Sequence, residues 1–166
     1  SGTSLTVEQV RLIRRFTKNV TVLYDGDSAG IKAAERGSGI LLEEGMTVRI
    51  VLLPEGQDPD DFARAHTLEE IEQYIATHTQ DFIRFITAQA VGASRSDPSS
   101  MVKIAEAVLA KIALIPDALL RAFYIREASE EFELGEQVLA DTVNELRLKR
   151  TSQLRKEAER EIRSTE

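Results

Sequence analysis

The sequence contains no cysteine, which excludes disulfides and every thiolate metal site. Histidine is scarce too: His66 and His78 stand apart, each in a helical context that reads as surface. No apolar run approaches the roughly 20 residues that a bilayer-spanning helix needs. The opening "SGTSLTVEQV" lacks the basic and apolar regions of a signal peptide, so a cytoplasmic location is the expectation. Basic charge is also short. Lys and Arg number 21 against 28 Asp and Glu, a net charge of −7, which argues against this chain alone gripping a nucleic-acid backbone. Carboxylates gathered around a metal would inflate that negative total. What is present is ordinary for a globular chain: 166 residues, 42% hydrophobic and 30% charged. That is enough for one domain with a sizeable core or two small ones.

The first third alternates helix and strand signals. Thr6 followed by Gln9 reads as a capping box opening "VEQVRLIRRF", with Val10, Ile13 and Phe16 on one stripe. "VTVLY" is a β-branched run that reads as a buried strand. "SAGIKAAERGSGILLEEG" has helical spacing, with Ser28 as a candidate cap and Gly45 as the stop. Gly37 and Gly39 interrupt it, but small residues permit close helix–sheet packing. "MTVRIVLLP" is a second strand, so this third reads as a βαβ unit with parallel strands.

Helices follow Pro54. Pro59 suits the first position of a short helix, Thr67 with Glu70 makes a second capping box, and Thr79 or Asp81 opens "DFIRFITAQAVG". "GASRSDPSS" is the clearest linker in the chain. Beyond it, Asp97 and Pro98 restart a helix, Pro116 punctuates it, and Gly135 precedes a last helix ending in a charged tail. That tail mixes both signs and reads as a solvated helix. A two-strand parallel sheet is too small to be a complete α/β core. The chain therefore reads as a piece of a larger protein.

Two acidic pairs punctuate the strand ends. Asp25 and Asp27 in "YDGDSAG" are two apart after the first strand, so extended backbone can aim both the same way. Asp58 and Asp60 in "DPD" repeat the spacing after the second strand. The carboxyl edge of a parallel sheet is where open α/β folds place ligands. A lone pair there reads most simply as a turn and helix cap. A second pair one βα step later points to a cation, because clustered carboxylates repel unless a positive charge sits among them. Oxygen-only donors suit Mg²⁺ or Mn²⁺, which can clamp phosphate oxygens for phosphoryl or nucleotidyl transfer. Asp61 reads as a helix-dipole residue of the first turn, and Tyr24 as core packing.

At these residues the sequence resembles a known family. "YDGDSAG", then a helix, a strand and "LPEGQDPDDF", looks like the second half of the toprim fold of bacterial DNA primases of the DnaG type. The opening "SGTSLTVEQVRLIRRFTKNV" resembles the segment leading into that strand, and the helices to about Gly135 resemble the helical subdomain of the primase polymerase domain. The resemblance implies an α/β fold, a partial toprim with a Rossmann-like parallel sheet over residues 1–66. An all-α helical subdomain follows over 67–150, then a charged helical tail or linker over 151–166. It implies a metal-dependent DNA-directed RNA polymerase that makes short RNA primers from NTPs on single-stranded DNA. Asp25, Asp27 and Asp58 would be catalytic, and with Asp60 would form the Mg²⁺ or Mn²⁺ ligand set, Asp60 ranking below the others.

The same resemblance places further parts outside these residues: the toprim glutamate, a zinc-binding domain, the basic polymerase subdomain and a helicase-interacting C-terminal domain. The segment alone is then expected to be inactive, with template, NTPs and replicative helicase as partners of the whole protein and no membrane partner. Its open sheet edge invites self-association. Two other readings compete. In a HAD-type phosphatase Asp25 would be a nucleophile, but Lys32 comes too early and Ala29 stands where Thr or Val is usual. In a non-catalytic helical interaction module the aspartates are caps alone.

Overall fold

The computed structural model describes residues 5–93 and 97–166. The chain divides into two compact units, Ser1–Gln89 and Ala90–Glu166.

In the first unit, α1 (Val7–Arg14) opens on the expected capping box. The Gln9 amide N–H donates to Thr6 Oγ1 at 3.2 Å, and the Thr6 N–H donates to Gln9 Oε1 at 3.0 Å. Val10 is fully buried, but the stripe stops there: the helix ends at Arg14, and Phe16, past its end, is 83% exposed. Arg11 and Arg14 both reach Glu44, at 3.3 and 3.8 Å, tying α1 to the far end of the next helix.

The βαβ unit is as the pattern suggests. β1 (Asn19–Asp25) and β2 (Thr47–Leu53) run parallel, in register from Asn19 opposite Thr47 to Asp25 opposite Leu53. Between them lies α2 (Ser28–Glu43). Its cap is Asp27 rather than Ser28, which takes the first helical position. Gly45 ends it with φ +77°, donating its N–H to the Leu42 carbonyl while Met46 donates to Leu41. This Schellman pattern needs a left-handed residue, which glycine supplies without a Cβ clash. Tyr24 of β1 is half-buried, with its hydroxyl against Gly37 of α2, the close packing that a small residue allows.

β1 is only partly buried, contrary to the reading of a buried strand, because among the described residues it pairs on one side alone. β2 is central and carries the core. The sheet also has a strand that the pattern did not suggest: β3 (Gln80–Asp81), antiparallel to β2 through Arg49–Asp81 and Ile50–Gln80. Two polar residues between helices leave no alternation to read.

After β2 come α3 (Pro59–Ala65), α4 (Leu68–His78) and α5 (Phe82–Ala93). Thr67 caps α4 by accepting from the Glu70 N–H at 3.2 Å, and Asp81 accepts from Arg84 at 3.1 Å at the head of α5. Val51, Leu53 and Phe62 form a core against which Leu23, Ile71, Tyr74 and Ile75 pack. The Tyr74 hydroxyl donates to the Leu52 carbonyl at 2.8 Å. These contacts and β3 hold α4 to the sheet, within the first unit. His78 is exposed and stacks on Tyr74 at 3.9 Å, whereas His66 is half-buried, 4.3 Å from the Phe62 ring.

The second unit packs α6 (Pro98–Ala113), α7 (Ala118–Phe132) and α8 (Glu136–Thr165) against one another. Its core includes Val108, Leu109, Ile112, Ile125, Phe132, Leu139 and Val143. Asp97–Pro98 does restart the chain as a helix, and Asp117 caps α7 by accepting from Leu119 at 2.9 Å and Leu120 at 3.3 Å. The middle of the "GASRSDPSS" linker, residues 94–96, lies outside the described residues. Residues 148–166 are all exposed, and α8 continues through them to Thr165.

Candidate metal centre

Register brings the two acidic motifs to one edge. Asp25 closes β1 directly opposite Leu53, which closes β2. The turn after β1 presses on the turn after β2: a Cβ on Gly26 would lie 2.5 Å from the Leu53 carbonyl oxygen and 3.7 Å from Glu55 N. α3, headed by Asp58, packs against β1. Both D-x-D motifs thus issue from the carboxyl edge of one parallel pair.

Their carboxylates are not equivalent. Asp27 Oδ1 accepts from the Gly30 N–H at 2.6 Å, capping α2. Asp58 Oδ1 accepts from the Asp61 N–H at 2.8 Å, capping α3, with Pro59 in the first turn as expected. Asp60 and Asp61 lie exposed in that turn, where negative charge suits the helix dipole. Asp25 is different. Its Oδ1 is buried and has no hydrogen-bond partner. The same holds for Oε1 of Gln57, the residue before Asp58. Among the described residues these are the unpartnered buried side-chain oxygens; Asp25 closes β1, and Gln57 lies in the turn after β2. A buried acceptor without a donor costs about 1–3 kcal/mol, so it marks a place where a donor or cation belongs.

The four aspartates do not close a cage by themselves. Among the described residues no group of three or more His, Cys, Asp or Glu side chains is gathered closely enough to hold a metal. The residues present fit one side of a divalent-cation site: oxygen donors only, with Asp25 unsatisfied and Asp27 holding an oxygen beyond its cap bond. Sequence reasoning passed over Gln57. An amide beside a D-P-D turn carries no periodic or motif signal, and only its burial singles it out.

Two family models match the chain. A Toprim-like family model matches residues 1–63. A model described as the DnaB-helicase binding domain of primase matches residues 95–137. That match spans α6 and α7, whereas the resemblance placed the helicase-interacting domain outside these residues. The DNA primase of Halalkalibacterium halodurans is 32% identical over 135 residues, covering 81% of this chain and 22% of that protein. The DNA primase of Aquifex aeolicus is 47% identical over 74 residues, covering 45% of this chain and 15% of that protein. The chain thus spans about a fifth of the curated relatives it matches, 22% for the Halalkalibacterium protein. Among solved structures, a DNA primase domain from Pseudomonas aeruginosa shares the fold with a TM-score of 0.74 at 24% identity, over 86% of this chain and 46% of that one. The zinc-binding and RNA polymerase domains of the Aquifex aeolicus primase align with a TM-score of 0.67 at 30% identity, over 83% of this chain and 32% of that one. A DnaG catalytic domain bound to single-stranded DNA aligns with a TM-score of 0.70 at 26% identity, over 82% of this chain and 44% of that one.

Proposed function

The chain belongs to the bacterial DnaG-type DNA primases, and we propose that it supplies one acidic edge of the primase metal site together with a helical module that engages the helicase. In the whole protein the reaction is synthesis of short RNA primers from NTPs on single-stranded DNA. The observation that carries the metal reading is the buried, unpartnered Oδ1 of Asp25 at the carboxyl edge of β1 and β2.

Asp25 is the principal ligand in this reading. Asp27 supports it with the oxygen not used to cap α2, and Asp58 and Asp60 supply the second pair from the turn after β2. Mg²⁺ or Mn²⁺ bound there would neutralise phosphate oxygens and lower the pKa of a bound nucleophile. The protein's own part is positional. Caps at Asp27 and Asp58 anchor both turns to rigid helices, so the carboxylates hold their places without reorganising as charge develops. α6 and α7 are proposed as the helicase-facing part, resting on the family description of that segment. The phosphatase and pure interaction-module readings draw no support from these relatives.

The test is a Mn²⁺ titration of the chain beside an Asp25→Asn, Asp58→Asn variant. Saturable binding lost in the variant is expected; equal binding by the two would sink the metal reading. In a full-length primase carrying this segment, Asp25→Asn is expected to cut oligoribonucleotide synthesis about a hundredfold or more, roughly 3 kcal/mol of transition-state stabilisation.

A further inference from the structure

Gly30 sits in the first turn of α2, within "DGDSAG". A glycine there is a poor helix former, and it is not among the residues with positive φ. Conformational freedom is therefore not why a glycine is needed. Space is. A Cβ on Gly30 would lie 2.1 Å from the Asp25 carbonyl oxygen, 2.9 Å from its carbonyl carbon and 3.0 Å from its Cβ. Two of these neighbours are backbone and cannot swing aside. The same residue donates its N–H to Asp27 Oδ1 at 2.6 Å.

We propose that Gly30 is the positioning residue of the acidic pair: it seats the first turn of α2 on Asp25 and orients Asp27 through its amide, so that one residue sets both carboxylates for a divalent cation. The inference rests on the metal reading above and deepens it. A side chain at position 30 would push the helix start off β1 by about 1 Å, a displacement that is costly in a preorganised site. Gly26 works in the same sense from the other side, since its missing Cβ admits the Leu53 carbonyl at 2.5 Å. Gly37, on the same helix, is a built-in contrast. Its Cβ would meet only the Tyr24 hydroxyl, at 2.9 Å, the far end of a side chain that can move.

The experiment is Mn²⁺ binding to the 166-residue chain, followed by electron paramagnetic resonance of the free ion, with far-UV circular dichroism and thermal melts on the same samples. Gly30→Ala is expected to retain the helical spectrum and a cooperative melt but to bind Mn²⁺ about tenfold more weakly or worse, the scale seen when a ligand's support is removed. Gly37→Ala should bind as the unsubstituted chain does. Helix propensity alone would make both variants more stable, so weakened binding in the first alone separates positioning from general structure. Unchanged Mn²⁺ affinity in Gly30→Ala overturns the proposal. Absence of saturable binding in the unsubstituted chain overturns the metal reading and this inference with it, and needs no variant to be seen. If Gly30→Ala fails to fold, the amide resonances of the unsubstituted chain decide the matter. On adding Mg²⁺, the Gly30 amide is expected to shift in step with saturation, because the Asp27 carboxylate that accepts its N–H at Oδ1 would face the cation through its other oxygen. A Gly30 amide that stays in place through saturation overturns the proposal.

Discussion

Single carboxylates here carry two kinds of work that substitution can separate. Asp27 and Asp58 each accept a backbone N–H as helix caps, and asparagine caps about as well as aspartate. Asp27→Asn and Asp58→Asn should therefore leave stability within about 0.5 kcal/mol while weakening Mn²⁺ binding. The corresponding alanine variants should lose about 1 kcal/mol as well. Denaturant melts with and without metal read both effects. Asp25 makes no such structural bond at Oδ1. Without metal, Asp25→Asn should be at least as stable as the unsubstituted chain, since an unpaired buried oxygen costs more when it is charged than when it belongs to a neutral amide. The rise in melting temperature on adding Mn²⁺ should vanish in it. A metal-free Asp25→Asn chain that melts well below the parent would show that the carboxylate is structural.

Among the elements, the end of α6 is held by charge. Arg147 of α8 donates to the carbonyls of Ala113 at 2.7 Å and Ile115 at 3.2 Å, and Arg121 of α7 donates to Ile115 at 2.7 Å and Pro116 at 2.8 Å. Cations suit a helix C-terminus, where carbonyls lack intrahelical partners. The pairing has an internal cost. Burial and the neighbouring Arg147 both push the Arg121 guanidinium below its ordinary pKa, with Asp117 opposing them. Its charge still holds across the accessible pH range. Arg147→Met should lower the stability of the three-helix unit by about 1–2 kcal/mol, the loss of charge-assisted bonds outweighing the relief of repulsion. A chemical melt followed by circular dichroism measures it, and an unchanged midpoint would mean that Arg121 alone satisfies those carbonyls.

At the scale of the molecule, the last stretch of the second unit adds nothing to a core. Residues 151–166 are exposed throughout, so they bury no apolar area that would stabilise a core. Removing them should change stability by less than about 0.5 kcal/mol, the range of surface changes away from special features. A larger drop in the melting midpoint would reveal packing that this exposure does not predict. Among the described residues β1 pairs on one side alone, and the chain spans about a fifth of the length of the curated relatives it matches.

Local chemistry decided most of what the sequence by itself could determine. The capping box at Thr6, Pro59 at the head of α3, Gly45 at the end of α2 and the parallel βαβ order all follow from residues a few positions apart. The D-x-D repeat likewise pointed to the sheet edge. What needed the tertiary structure depends on partners distant in the chain. Two-residue β3 exists only because β2 offers it an edge. Tyr74 and the Leu52 carbonyl are 22 residues apart, yet their bond keeps α4 with the sheet. Phe16 falls off its stripe because the helix stops at Arg14. The difference between Asp27, a cap, and Asp25, a buried acceptor with no donor, is invisible in "YDGDSAG". Capping is a short-range bond, whereas an unsatisfied oxygen is defined by everything that fails to reach it.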